Sequence, residues 1–387
     1  MTNSIKNNYI LFLFLIPLFP HIDLNSQWIH LDDIPVIVYL LLFCIFSLKM
    51  ITIDNLKNSI PIFLFIIFIS LQNLFLYNNL LNTEIFRYLF YLTIFLHFKT
   101  INSDNKLLAN LPVYLFYFLS CFSILSYVFN FNLGTDAYNY WNIGLNTNEW
   151  GFTPGRVNGF QAGGPNSFGD LICILGFYSL TKVKNRIKPI IILLSFVSCF
   201  FTYSRSSLLV LTFLLLIYLF QKSDWRNVLV LALSFLFVIN FGLIERFSSE
   251  KETEGIQDRI EMQTATAGYL TNQNVVSLLF GNGANNVGVV NDDVGNVENF
   301  DESLRVTGPH NSYLFFILKY GLVGFFLYLL IFKKFLKTLI NQDFKNLFTD
   351  TSFLCIGAFL ILGFASDLLH NHTVAWFMFY LLFYTNE

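Results

Sequence analysis

The sequence predicts an all-α, polytopic integral membrane protein, and three observations support this prediction. Hydrophobic residues make up 55% of the chain and charged residues only 12%, whereas a soluble domain carries about 25% charged residues. The mean hydropathy is +0.57, and apolar runs of membrane-spanning length recur along the chain. Lys and Arg concentrate in alternate connectors between these runs, which is typical of a chain that crosses a membrane repeatedly.

The apolar runs predict about twelve membrane-spanning helices. A hydrocarbon core about 30 Å thick needs roughly 17–25 apolar residues per helix. The candidate spans are 9–24, 35–53, 60–77, 80–98, 108–130, 167–181, 188–203, 206–220, 227–243, 311–332, 350–367 and 371–385. No small-residue cleavage site follows the first span, which favours a retained helix over a removed signal peptide.

The distribution of positive charge predicts the topology. With the N-terminus in the cytoplasm, the cytoplasmic connectors hold most of the 23 Lys and Arg residues, namely Lys6, Lys49, Lys57, Lys99, Lys106, Lys182, Lys184, Arg186, Lys188, Lys222, Arg226, Lys333, Lys334, Lys337 and Lys345. Both termini are then cytoplasmic. The stretch 188–220 forms either one overlong helix or a hairpin, and the charge alternation favours a hairpin with Arg205 at its periplasmic tip.

The chain 1–387 is interpreted as one polytopic domain with two long periplasmic connectors. The first covers 130–166 and the second, between helices 9 and 10, covers 244–309; both are too long for simple turns. Within the second connector, 252–270 is free of Pro and predicts a surface helix. The stretch 280–308 is rich in Gly, Asn and Asp, which predicts a mobile loop.

The cationic residues expected outside the cytoplasm are mostly Arg, whose planar guanidinium can bind a phosphate through two hydrogen bonds at once. Arg156 and Arg205 have no acidic neighbour within three residues, which favours a ligand-binding role. Arg246 and Arg305 each have a Glu within three residues, so a surface ion pair is the simpler explanation for them.

The segment from Arg156 to Asn166 combines features that suit a phosphate. Gly159, Gly163 and Gly164 permit unusual backbone geometry close to a ligand. The next helix opens at Asn166, and the backbone N–H groups at a helix N-terminus form an anion site. An ordinary loop that ends in a helix cap explains the same residues equally well.

The tenth span opens with His310 and Asn311 at the expected periplasmic surface. A helix N-terminus favours the neutral form of a histidine, which could then accept a proton from an acceptor hydroxyl. A purely structural hydrogen-bonding role is the alternative. Gly321 and Gly324, further along this span, are expected to allow close helix packing.

Charged residues inside the predicted spans are further candidates, because charge within a bilayer is costly and often functional. Glu84 and Arg87 are three residues apart and are expected to pair on one helix face, in either a structural or a functional role. Lys319 and Asp170 are similar, lesser candidates.

Composition also excludes several classes of function. The net charge of −2 provides no basic surface for nucleic acid. The five cysteines lie inside apolar runs without Cys/His clusters, so neither a disulfide framework nor a metal site is predicted. No cofactor is expected.

Four segments in order resemble the superfamily of O-antigen polymerases and O-antigen ligases, which are polytopic membrane glycosyltransferases. The segment 155–166 is similar to its R-x-x-G-x-F…P-N pattern, and 203–206 is similar to its S-R-S tip. The stretch from Arg259 to the L-F-G-N-G sequence at 279–283 resembles a further motif. The H-N…G-x-x-G pattern at 310–324 resembles the entry into a late helix of the family.

The resemblance implies a GT-C-like helical fold and a metal-independent, inverting transfer of glycan from an undecaprenyl-diphosphate donor at the periplasmic face of the bacterial inner membrane. The predicted catalytic residues are His310, Arg156 and Arg205, and the predicted diphosphate- and glycan-binding residues are Arg259, Arg246, Asn166, Asn311 and Arg305. The expected partners are the undecaprenyl-diphosphate-linked oligosaccharide, the lipid bilayer, a chain-length regulator and a flippase, with no nucleic acid.

Three functions remain open at the level of sequence. A polymerase that joins O-antigen or capsular repeat units is favoured, and a ligase that moves finished polymer onto lipid A–core is the first alternative. A polysaccharide-unit flippase or other transporter is the second alternative. Transporters often show internal repeats and binding residues at the membrane midplane, and the unusual features of this sequence lie instead in the expected periplasmic connectors.

Overall fold

A computed structural model of the chain describes residues 9–19, 33–46, 51, 53–77, 83–98, 106–129, 156–160, 164–222, 225–239, 250–283, 311–333, 336–337, 340, 351–366, 368 and 372–384. Three predicted site residues, His310, Arg246 and Arg305, lie outside the described residues, as do most of the connector 130–166 and the parts 244–249 and 284–309 of the second connector. The regular structure in the described ranges is helical, which confirms the all-α class.

The helices follow one another along the whole described chain. They are a 3-10 helix at Tyr9–Leu18, then α1 Asp33–Phe46, α2 Ile53–Tyr77, α3 Thr83–Phe98, α4 Lys106–Phe129, α5 Gly164–Lys182, α6 Lys188–Phe201, α7 Arg205–Lys222, α8 Trp225–Val238, α9 Glu250–Asn272, α10 Val275–Phe280, α11 Ser312–Ile331, α12 Thr351–Leu362 and α13 His372–Tyr384. Helix α9 confirms the surface helix predicted at 252–270.

Among the described residues, four helical stretches are long and apolar enough to cross a membrane, namely Ser59–Tyr77, Asn110–Phe129, Arg205–Lys222 and Ser312–Ile331. Each coincides with a predicted span. Shorter apolar helices occur at Asp33–Phe46, Lys188–Phe201, Trp225–Leu236 and Phe353–Leu362. The expected number of about twelve spans stays a prediction, because several of the described helices are shorter than a bilayer crossing requires.

Helix α5 lies at the centre of the bundle. Every side chain from Phe168 to Leu180 is buried, and α4, α6, α7, α12 and α13 all pack against this helix. A helix that is apolar on all sides is expected to be enclosed in this way. A Cβ on Gly169 would lie 2.8 Å from the hydroxyl oxygens of Thr202 and Ser207. Because glycine lacks that atom, α6 and α7 approach α5 closely at this level.

Helices α6 and α7 form a hairpin rather than one long helix, which confirms the prediction. The chain reverses at Tyr203, whose φ of 53° lies in the left-handed region. The Ser204 N–H donates to Thr202 Oγ1 at 3.1 Å, which stabilises the turn. Arg205 is the first residue of α7 and therefore lies at the tip of the hairpin.

Helix α11 is interrupted at Gly321, where φ is +67° and ψ is −177°. The break leaves backbone carbonyls without the N–H donors that a continuous helix would provide. N–H groups of the chain directly after α10 donate hydrogen bonds to these carbonyls instead. The N–H of Asn282 donates to the carbonyl of Leu318 at 3.0 Å, and the N–H of Gly283 donates to that of Lys319 at 2.9 Å. A Cβ on Gly321 would overlap the carbonyl of Leu279, so glycine is required here.

Gly324 confirms the expected close helix packing. A Cβ at this position would lie 2.9 Å from the ring of Phe68 in α2. Aromatic rings fill the remaining space between these helices, because the rings of Phe65 and Phe316 stack with centroids 5.5 Å apart. The α2–α11 contact is therefore tight along its length.

Candidate functional site

The candidate site lies at one end of the bundle, hereafter the site end, where α5, α7 and α11 begin and α6 and α12 finish. Arg156 connects two of these helix ends. Its Nε donates to the carbonyl of Thr202 at 3.0 Å, and its Nη2 donates to Asn166 Oδ1 at 2.6 Å. The adjacent Val157 N–H donates to the carbonyl of Phe201 at 3.0 Å. These bonds hold the guanidinium in one orientation.

The other residues of the 156–160 segment explain its pattern. Gly159 has a φ of +64°, and a Cβ there would overlap the ring of Phe168. The ring of Phe160 packs on that of Phe122 in α4, with centroids 4.3 Å apart. Asn158 is 2% exposed, and its Oδ1 accepts no hydrogen bond within the described part of the chain. Sequence reasoning did not single out Asn158, since nothing in its local pattern signals burial.

Serine hydroxyls link the hairpin tip to the central helix. The hydroxyls of Ser204 and Ser207 lie 2.7 Å apart, and Ser207 Oγ donates to Asp170 Oδ1 at 2.6 Å. Arg205 lies between these serines and is half-buried. The S-R-S sequence therefore lies at the turn, and Ser207 directly after it provides the hydrogen bond to a buried carboxylate.

Asp170 is fully buried in α5, directly below the site end. The side chain of Ser366, after α12, lies close to its carboxylate, and Arg259 of α9 exerts an attractive electrostatic interaction on it. Its Oδ2 accepts no geometrically defined hydrogen bond from the described residues. Asp170 was a lesser candidate in the sequence, and an acidic residue inside an apolar helix was the signal.

Asn311 caps α11. Its Oδ1 accepts hydrogen bonds from the N–H groups of Tyr313 at 3.0 Å and Leu314 at 3.2 Å. The next residue, Ser312, donates from its hydroxyl to the carbonyl of Ser366 at 2.6 Å. The start of α11 is therefore fixed to the end of α12, and the Asn311 oxygen has a structural role.

The structure brings some of the predicted site residues together. Arg156 is in direct contact with Asn166 and with Thr202. Arg205 follows Thr202 by three positions in the chain. Arg259 interacts electrostatically with Asp170, which lies directly below the site end. The roles of these residues in binding or catalysis stay predictions.

A second charged cluster lies where α3 packs near α11. Glu84 receives hydrogen bonds from Arg87 at 3.1 Å and from Tyr320 at 3.2 Å, and Lys319 Nζ lies 3.4 Å from its Oε1. The i, i+3 pairing of Glu84 with Arg87 confirms the sequence prediction. The involvement of Lys319 was not predicted, because it lies 235 residues away in the chain.

Within the ranges that the structure describes, no group of three or more His, Cys, Asp or Glu side chains could hold a metal ion.

No curated protein matches the chain. The family of O-antigen ligases matches at residues 190–329. This segment runs from the third residue of α6 almost to the end of α11, and it includes Arg205, Arg259 and the glycine contact at Gly321. Together with the apolar helices, the match indicates a bacterial membrane protein, and it confirms the resemblance of the chain to the O-antigen polymerase and ligase superfamily.

Proposed function

We propose that this protein is a membrane glycosyltransferase that polymerises O-antigen or capsular repeat units. It transfers glycan from an undecaprenyl-diphosphate donor to a lipid-linked acceptor at the periplasmic face, with inversion and without a metal ion. The observation that carries the proposal is the position of Arg156 and Arg205 at one end of a helical bundle, beside and within the family match. Arg259, also within the match, interacts electrostatically with Asp170 of the central helix.

The leaving group of this reaction explains the need for arginines. As the acceptor oxygen bonds to the anomeric carbon, the bond from that carbon to the diphosphate breaks, and its electron pair passes to the diphosphate oxygen. Preorganised positive charge that stabilises this developing charge contributes strongly to such reactions. Arg156 suits this role because two hydrogen bonds already fix its guanidinium, so little ordering is needed when the diphosphate binds.

His310 is proposed as the base that takes the proton of the acceptor hydroxyl. It precedes Asn311 in the sequence, and Asn311 caps a long helix whose start is fixed to α12. A neutral imidazole near a helix N-terminus is a suitable proton acceptor near neutral pH. Arg246, Arg305 and Asn166 are proposed to contribute to the binding of diphosphate or glycan.

The long connector 244–309 is proposed to cover the bound glycan during transfer, since sequestration from water favours transfer over hydrolysis. Helices α9 and α10 belong to the described part of this connector, and Arg259 of α9 interacts electrostatically with Asp170 of the central helix. A chain-length regulator and a flippase are proposed as partners.

A ligase that transfers finished polymer to lipid A–core is the second candidate, because the matching family is described as O-antigen ligase. Both reactions release undecaprenyl diphosphate and need the same arginines. The family match favours either enzyme over a transporter.

The glycan profile of a strain that lacks this gene tests the proposal. Single repeat units on lipid A–core, without a ladder, are the expected result for a polymerase. Full-length polymer retained on undecaprenyl diphosphate, with bare core at the surface, would contradict the polymerase function and support the ligase function. Repeat units trapped on the cytoplasmic side would contradict both enzymes.

A further inference from the structure

Helix α10 exposes an unusual amount of apolar surface for a segment in a polar connector. It has six residues, and Asn274 caps it by accepting a hydrogen bond from the Ser277 N–H at 2.8 Å. Four of its five apolar side chains are exposed, with fractions of 70% for Val275, 68% for Val276, 37% for Leu279 and 47% for Phe280, whereas Leu278 packs against a small buried cluster. A contiguous exposed apolar patch of this kind usually marks a contact with a partner or a membrane.

The level of α10 along a membrane-spanning helix is fixed by hydrogen bonds. The chain directly after α10 donates to the carbonyls of Leu318 and Lys319 in α11, which is long and apolar enough to span a membrane. Leu318 is six residues beyond the start of α11, so the contact lies about 9 Å along the helix axis. Helix α10 therefore lies beside the spanning part of α11 rather than above it.

Helix α2, a second spanning helix, supports the same placement. Gln72 Nε2 donates to the carbonyl of Lys319 at 2.8 Å and also to that of Phe280. The Tyr77 hydroxyl donates to the carbonyl of Asn282 at 3.1 Å. Non-helical backbone is tolerated within a bilayer only where protein satisfies its polar groups. These contacts meet that requirement for the residues that follow α10.

The exposed surface of α10 continues onto α2. Leu71, Phe75 and Leu76 near the end of α2 are exposed, Phe75 by 81%. A Cβ on Gly283 would lie 2.8 Å from Leu76 Cδ1, so the two surfaces adjoin. Exposed apolar side chains on a spanning helix are expected to face acyl chains, and the adjoining surface of α10 lies where it can contact the same lipid.

Helix α9 provides the contrast within the same connector. Its exposed positions include polar residues such as Gln257, Glu261, Thr264 and Thr271, which is typical of a face in water. The change from a polar to an apolar exposed surface occurs across Asn272–Asn274, between the two helices. Such a change is expected where a chain passes from water into a bilayer.

We propose that α10 is a re-entrant membrane helix whose Val275, Val276, Leu279 and Phe280 contact the acyl chains of one bilayer leaflet. Close packing of Gly281 against Gly321 keeps α10 beside α11. The break in α11 leaves carbonyls that accept hydrogen bonds from the residues directly after α10. This inference requires that α2 and α11 span the membrane, and it is independent of the reaction that the protein catalyses.

Spin labels on single cysteines test the inference. The full chain carries Cys44→Ala and Cys121→Ala to remove the two exposed cysteines, and it is reconstituted in vesicles of phosphatidylethanolamine and phosphatidylglycerol. Labels are placed at Val276→Cys, at Phe75→Cys as the lipid-facing reference and at Thr271→Cys as the aqueous reference. Power saturation then compares collisions with oxygen, which partitions into lipid, and with a water-soluble nickel complex.

The label at position 276 is expected to match the Phe75 label, with high accessibility to oxygen and low accessibility to nickel. A match to the Thr271 label would overturn the inference and place α10 in water. Low accessibility to both reagents would also overturn it, because protein, such as a second copy of the chain, would then cover the helix. Val275→Cys repeats the measurement if Val276→Cys does not give a monodisperse protein.

Discussion

Replacing Gly321 with alanine is expected to release α10 from α11. The glycine has φ of +67° and ψ of −177°, a region that costs a residue with a side chain roughly 1–3 kcal/mol. The new Cβ would also overlap the carbonyl of Leu279. Relief of this overlap requires that the N–H groups of Asn282 and Gly283 leave their carbonyl partners, at about 0.5–1.5 kcal/mol for each bond.

The two contributions together amount to about 2–6 kcal/mol of local stability. At about 1.4 kcal/mol per factor of ten, the population with α10 detached rises at least roughly 30-fold. Hydrogen exchange followed by mass spectrometry, on peptides that cover 275–283, measures this directly. Gly357→Ala is the matched control, because a Cβ there has no neighbour within 4 Å. Exchange in the Gly321→Ala variant at the rate of the wild type would refute the reasoning.

Three further predictions concern the charged residues at the site end and around Glu84. Arg156→Lys keeps the charge but loses one of two fixed hydrogen bonds, worth about 1.5–3 kcal/mol. At about 1.4 kcal/mol per factor of ten, glycan extension should fall by roughly 10- to 150-fold, whereas Arg226→Lys at an exposed position should leave extension unchanged. Asp170→Asn keeps the oxygen that accepts from Ser207 but removes the carboxylate with which Arg259 interacts. Asp170 is expected to position Arg259 for donor binding, so loss of an interaction of about 1 kcal/mol predicts an increase of about fivefold in the donor KM; an unchanged KM would contradict that role. Glu84→Gln removes a carboxylate from a buried ion pair and should lower stability by about 3–5 kcal/mol. The thermal midpoint should recover in part when Lys319→Met is added, and a purely additive double variant would contradict the coupling.

Features that depend on neighbouring residues were predictable from the sequence. The all-α class follows from apolar runs, and the hairpin at Arg205 follows from the alternation of charge. The Glu84–Arg87 pair follows from helical spacing, since residues three apart lie on one face. The class and the ion pair are determined within one span or one turn, whereas the hairpin is determined by the charges of the connectors along the whole chain.

Contacts between distant segments were not predictable in detail. Lys319 pairs with a carboxylate 235 residues away, and Arg259 acts on Asp170 in a different helix. Gly281 and Gly321 belong to the motifs that the sequence analysis identified. Their mutual contact depends on a break within α11 that hydropathy does not reveal. Such pairings are set by tertiary packing, and one sequence carries no direct record of it.

Reconstitution of the reaction tests the central claim most directly. The purified chain in proteoliposomes is supplied with undecaprenyl-diphosphate-linked repeat units, and the products are resolved by mass spectrometry. The wild-type protein should yield a series of longer glycans with release of undecaprenyl diphosphate, and a folded Arg205→Ala variant should yield little or none. Wild-type protein that extends no glycan, or an Arg205→Ala variant that extends it at the wild-type rate, would contradict the claim.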